Sequence, residues 1–197
     1  TVGINTKGAI RTRVTNNFTD CLIDSNFANA TGSPSDSTKR AADGFFYGNG
    51  GGSIITGNTV LRFDYEGIFA DIEDDSTKFD ETKEKTIISS NIVDGTSRLK
   101  LNGSTTDHLF AGLGGWGIRV DGDNTVVANN TIRGVVYGVF LYPQTAGVSP
   151  QLHNFTVSGN ILTDVFTGIY SAYHSDGIIT GNLVKALEPD SAQKANR

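Results

Sequence analysis

The chain has no methionine and a single cysteine, Cys21. One thiol cannot close an internal disulfide, and no Cys/His spacing suits a zinc site. Parity with Ile23 points Cys21 inward from a strand, where a buried core thiol is expected. No apolar run approaches the ~20 residues that a membrane-spanning helix needs, and no secretory signal is seen. Basic clusters are missing too. Sixteen Lys and Arg against 21 Asp and Glu give a net charge of −5 and a pI near 5.1, which argues against nucleic acid or an anionic membrane as partner. There is no Ser-His-Asp order and no Walker-type loop, so Ser/Cys nucleophile chemistry and nucleotide binding are not expected. A chain that opens at Thr1 without methionine is expected to be a piece of a longer one. Prolines number only four, whereas glycine reaches 24 and hydrophobic residues 37%, a balance that fits many short strands and bends in one domain spanning 1–197.

Against this background one short phrase recurs: two residues that are mostly aliphatic, two small or polar ones, then asparagine. It reads Leu22-Ile23-Asp24-Ser25-Asn26, Ile54-Ile55-Thr56-Gly57-Asn58, Ile87-Ile88-Ser89-Ser90-Asn91, Val126-Val127-Ala128-Asn129-Asn130, Thr156-Val157-Ser158-Gly159-Asn160 and Ile178-Ile179-Thr180-Gly181-Asn182. Val14-Thr15-Asn16-Asn17 matches it as well, so either that copy or the Asn26 copy is accidental or marks a cap. A second phrase, glycine followed by an alternating strand, interleaves with the first at Gly44, Gly67, Gly117, Gly138 and Gly168. The tightest intervals are 8–9 residues from asparagine to glycine and 13–14 back, which makes a minimal repeat of 22–23 residues. Three short strands and three bends fit that length, and stacked repeats give each strand parallel neighbours. Asparagine at a fixed place in each repeat can bond its counterpart one repeat away, so an internal ladder is expected.

The interleaved phrases resemble those of a right-handed single-stranded parallel β-helix of the pectate-lyase-like superfamily, over about residues 14–186. The resemblance implies an all-β solenoid of six or seven coils and a polysaccharide as partner. That superfamily holds glycoside hydrolases, polysaccharide lyases, uronan epimerases and tailspike depolymerases, so fold alone does not choose among activities. The tailspike likeness leaves room for a homotrimer and for an extracellular or virion-surface setting. Five Asn-X-Ser/Thr sequons, at Asn17, Asn29, Asn102, Asn129 and Asn154, are compatible with secretion.

Four stretches exceed the minimal repeat: 29–42, 71–85, 94–115 and 143–154. Their Gly, Ser, Thr, Asp and Pro content marks surface loops, and in a solenoid such insertions often wall a groove. Beside them lies the glycine-led strand. Taking the residue after glycine as inward gives the apolar column Phe45, Ile68, Ile118, Val139 and Ile169. The outward column is then Phe46, Phe69, Arg119, Phe140 and Tyr170, followed two residues on by Gly48, Asp71, Asp121, Tyr142 and Ala172. Outward aromatics need cover, from a sugar ring, from the loops or from a neighbouring subunit.

Asp71 and Asp121 on consecutive strands, ~4.8 Å apart, have the carboxyl spacing of a retaining glycosidase. The leading expectation is therefore a glycoside hydrolase that uses Asp71 and Asp121, with Arg119 steadying charge or binding an acidic sugar. Phe69, Trp116, Phe140, Tyr142, Tyr170 and the loop residue His108 would line the substrate, and Asp64 and Glu66 could reinforce the acidic cluster. No cofactor is required. Asp71, Glu73 and Asp75 supply hard oxygens for Ca²⁺, which opens the alternative of a calcium-assisted lyase, with Arg119 or Lys100 as base, or of a uronan epimerase. The plainer readings are that the aspartates simply pair with Arg119 or bind a structural cation, and that the chain is a non-catalytic carbohydrate-binding spike, adhesin or fibre segment. His153 and His174 have no carboxylate partner that spacing can place. Ala186 to Ala195 could form a short polar helix.

Overall fold

The computed structural model describes residues 4, 6, 11–20, 45–48, 52–63, 66–71, 85–95, 114–142, 153–172 and 176–187, with the backbone alone at 45–48, 71 and 114. Cys21, Asn26, Asp64, Glu73, Asp75, Lys100, His108, His174 and the greater part of each insertion lie outside the described residues. Fifteen strands, β1 to β15, are found among them and no helix. The first repeats hold β1 (Arg13–Thr15), β2 (Phe18–Asp20), β3 (Phe45–Gly48), β4 (Ile54–Thr56), β5 (Thr59–Leu61) and β6 (Glu66–Asp71). The middle ones hold β7 (Thr86–Ser89), β8 (Ile92–Asp94), β9 (Gly114–Val120), β10 (Thr125–Ala128) and β11 (Thr131–Leu141). The last are β12 (Phe155–Ser158), β13 (Ile161–Ser171), β14 (Gly177–Thr180) and β15 (Leu183–Ala186). Ala186 thus closes a strand where a helix was expected to begin.

All pairings among the described strands are parallel. One face runs β1-β4-β7-β10-β12-β14. A second is built from β2, β5, β8, the first residues of β11 and β13, and β15. The third joins β3, β6 and β9 to the later parts of β11 and β13. β11 and β13 each serve two faces because they bend midway, at Gly134 (φ 64°) and Asp164 (φ 53°). A second bend precedes each ladder asparagine, where Asn16, Gly57, Ser90, Asn129, Gly159 and Gly181 all take positive φ. Small and amide side chains at the fourth place of the phrase answer that left-handed requirement.

The asparagine ladder is continuous. Nδ2 donates to the next Oδ1 from Asn17 to Asn58, Asn58 to Asn91, Asn91 to Asn130 and Asn130 to Asn160, each at 3.0 Å, and from Asn160 to Asn182 at 2.9 Å. The backbone N–H of each donor residue reaches the same Oδ1, so every acceptor is used twice. Asn17 is therefore the first rung among the described residues, and Val14-Thr15-Asn16-Asn17 acts as a copy of the phrase; the Asn26 copy lies outside the described residues. The inward aliphatics Val14, Ile55, Ile88, Val127 and Val157 on one face and Val60, Val93, Ile132 and Leu162 on the next are buried around it.

Glycine in the second phrase has a different cause. A Cβ on Gly117 would lie 2.5 Å from Ile132 Cγ2 and 2.7 Å from the Gly138 carbonyl oxygen. Gly67 and Gly138 are hemmed in the same way by the backbone one repeat along. Close approach, rather than φ, demands glycine there.

Candidate functional site

The third face carries the residues singled out above. Its register pairs Phe45 with Ile68, Ile68 with Ile118, Ile118 with Val139 and Val139 with Ile169, and of these Ile68, Ile118, Val139 and Ile169 turn inward as read. The outward column pairs Phe46 with Phe69, Phe69 with Arg119, Arg119 with Phe140 and Phe140 with Tyr170. A further outward column places Glu66 beside Trp116, Trp116 beside Tyr137 and Tyr137 beside Thr167.

Arg119 organises one half of this face. Its Nε and Nη2 donate to the two oxygens of Asp121 at 3.1 and 2.8 Å, and Nη1 donates to Glu66 Oε1 at 2.9 Å. The guanidinium also lies 4.6 Å from the Phe69 ring centroid and 5.2 Å from that of Trp116. Bidentate pairing and ring contact both suit a planar guanidinium better than an ammonium. Burial lowers the Arg119 pKa, but the charge and hydrogen bonds of Asp121, and after them those of Glu66, outweigh it, so the net shift is upward. The side chains are enclosed: 15% exposed for Arg119, 5% for Glu66 and 0% for Asp121. Phe69, read as an exposed aromatic, is only 5% exposed, in part because Arg119 folds over its ring.

The other half is aromatic. Phe140 sits at its centre, stacked on Tyr170 (4.9 Å, 10°) and on Tyr142 (5.7 Å, 26°), edge-on to Tyr137 (5.1 Å, 66°) and tilted against Trp116 (5.5 Å, 41°). Tyr137 also meets Tyr170 edge to face at 5.9 Å. Self-stacking relieves much of the cost of outward aromatics. Tyr170, 39% exposed, is the most open of these rings. Tyr137 was not among the expected residues. Its place just before Gly138, matching Trp116 before Gly117, is the signal that would have found it.

Asp71 ends β6, and its side chain lies outside the described residues. The register Phe69 to Arg119 and Ala70 to Val120, prolonged by the 3.0 Å bond from the Asp121 N–H to the Ala70 carbonyl, carries its backbone alongside Asp121. Of the expected calcium ligands, Glu73 and Asp75 lie outside the described residues, as does His108. Among the described residues no group of three acidic, His or Cys side chains could hold a metal ion. His153 does find a carboxylate: Nδ1 lies 3.4 Å from Asp176 Oδ2 because Asn154 and Asp176 fall side by side in the β12–β14 register. Compared with family models, characterised proteins and solved structures, the chain has no significant match.

Proposed function

We propose that the chain winds as a right-handed single-stranded parallel β-helix of the pectate-lyase-like kind, and that its third face binds a neutral polysaccharide outside the cell or on a virion. The asparagine rungs, the three parallel faces and the 22-residue spacing from Asn160 to Asn182 support the winding. The observation that carries the binding reading is the cluster of Trp116, Tyr137, Phe140, Tyr142 and Tyr170 on an outward face. Grouped outward aromatics with phenolic hydroxyls offer apolar area to sugar C–H groups and polar tips to sugar hydroxyls.

Charge selects the glycan. Arg119 is already committed to Asp121 and Glu66, so it does not present a free cation to a uronate or sulfate. Two carboxylates beside it disfavour a polyanion. The same engagement by two carboxylates speaks against Arg119 as the proton-abstracting base of a lyase. Asp121 has both oxygens on Arg119 and a fully covered side chain, an arrangement that holds a carboxylate ionised and in place rather than open to attack a substrate.

A hydrolase remains as a second reading, favoured by the register that runs Asp71 alongside Asp121. In it Asp71 protonates the leaving glycosidic oxygen, a water attacks the anomeric carbon and returns its proton to Asp71, and the fixed negative charge of Asp121 stabilises the oxocarbenium-like transition state. Truncating the most open ring tests the binding reading. Tyr170→Ala should weaken retention of a neutral polysaccharide by about tenfold while leaving the unfolding midpoint nearly unchanged. Unaltered affinity in both Tyr170→Ala and Tyr142→Ala would remove this face from the binding site.

A further inference from the structure

Around the corner from the aromatic face lies a cleft that the proposal above does not use. Only Gly122 and Asp123 separate Asp121 from Asn124, where the chain turns into β10. The cleft is lined by Lys85, Asn124, Asn154, Thr156 and Asp176, with Phe155 as its apolar floor. Phe155 is buried, and its ring occupies the space that a side chain on Gly177 would need. The corner is braced from below, since the His153 N–H donates to Asp123 Oδ1 at 2.7 Å and the Asn124 N–H to the His153 carbonyl at 3.0 Å.

The polar groups come from four successive parallel rows. The pairings of Thr86 with Thr125, Val126 with Thr156 and Phe155 with Gly177, each stepped back along its strand, align Lys85, Asn124, Asn154 and Asp176. At ~4.8 Å per row they span ~14 Å, room for a short chain of rings. Among the described residues the side chains of Lys85, Asn124, Asn154 and Thr156 make no hydrogen bond to the protein. Asn124 (φ 49°) and Asn154 (φ 57°) both hold left-handed turns, which sets where each side chain leaves the backbone. An apolar floor under a few convergent polar groups is the usual make-up of a ligand site.

The chemistry of the lining indicates the class of ligand. Two amides and a hydroxyl both donate and accept, as do the hydroxyls of a sugar. Lys85 and Asp176 carry opposite charges, which suits neither a phosphate nor a metal ion. We infer that this cleft is a second carbohydrate site, one that binds a short neutral oligosaccharide through its ring hydroxyls. It stands on side chains separate from the aromatic face, so either site can fail without the other.

Glycine at Asn124 or Asn154 removes the amide while keeping the positive φ, so Asn124→Gly and Asn154→Gly leave the turns intact. The test follows Asn side-chain amide signals by ¹H–¹⁵N NMR in protein made without N-glycosylation, since Asn154 begins a sequon. The probes are cellotriose, maltotriose and mannotriose, with trigalacturonate and inorganic phosphate as anionic comparators. At least one neutral trisaccharide should move the Asn124 and Asn154 amides saturably, with a Kd in the millimolar range or tighter. Affinity should fall about tenfold or more in each glycine variant and stay unchanged in Tyr170→Ala. The inference is overturned if no neutral trisaccharide moves these amides at ~20 mM, if an anionic probe binds more tightly, or if Tyr170→Ala abolishes the shifts while both glycine variants retain them.

Discussion

Replacing Asn130 by alanine should cost about 3–6 kcal/mol of unfolding free energy, enough to unfold many domains of this size. Asn130 is 1% exposed and sits in the middle of the ladder. Its Oδ1 accepts from both the backbone N–H and Nδ2 of Asn91, while its own Nδ2 donates to the Ile88 carbonyl and to Asn160 Oδ1, all at 3.0 Å. Alanine strands those partners among Ile88, Val127 and Leu162, and each orphaned buried group costs about 1–3 kcal/mol. Entry of a water softens the sum, which is why the expected figure lies below the simple total. Asn182, the last rung among the described residues and partly exposed, should lose only about 1 kcal/mol on the same change. Urea unfolding followed by circular dichroism reads both. A loss at Asn130 no larger than at Asn182 would mean that the ladder decorates the repeats rather than holding them.

Arg119→Met should cost about 3–5 kcal/mol, although it exchanges a charge for a well-packing apolar chain. The loss arises from what remains: Asp121 and Glu66, almost wholly enclosed, keep their carboxylates without the guanidinium that satisfied them. Neutralising the stranded groups should repair much of the damage, so Arg119→Met combined with Glu66→Gln and Asp121→Asn should be markedly more stable than Arg119→Met alone. Lysine cannot reproduce the fork to Asp121 together with the reach to Glu66, and Arg119→Lys should fall between wild type and methionine. Equal stability of the single and triple variants would show that the ion cluster carries no weight.

Much of this arrangement was legible because the repeats are regular. Ile118 and Val139 could be placed inward, and Arg119 and Phe140 outward, from a two-residue alternation anchored on glycine, and the register agrees. The ladder followed from asparagine at one place in each phrase, yet its first rung did not, because Leu22 to Asn26 matches the phrase better than Val14 to Asn17. Only pairing of Val14 with Ile55 decides between them. Burial was harder to read. Phe69 points outward as expected, but alternation carries no information about a neighbouring guanidinium lying over its ring. The pairing of Asp121 with Arg119, one of the plainer arrangements considered, was visible as an i, i+2 contact on a single strand. Glu66 was suspected of adding to the acidic cluster, and it does so by holding the far side of the same guanidinium. The alignment of Lys85, Asn124 and Asn154 was missed because the loop lengths that separate them in sequence hide it.

Binding of a neutral polysaccharide to the aromatic face, as proposed, is read by passing the protein over immobilised neutral glucans, mannans and galactans beside polygalacturonate and alginate. The same eluates are assayed for new reducing ends. Retention on a neutral polymer, weakened about tenfold by Tyr170→Ala and accompanied by no reducing ends, is the expected result. Reducing ends that vanish in Asp71→Asn would move the assignment to the hydrolase reading. Preferential retention on the polyuronates, or on none of the polymers, would contradict the account.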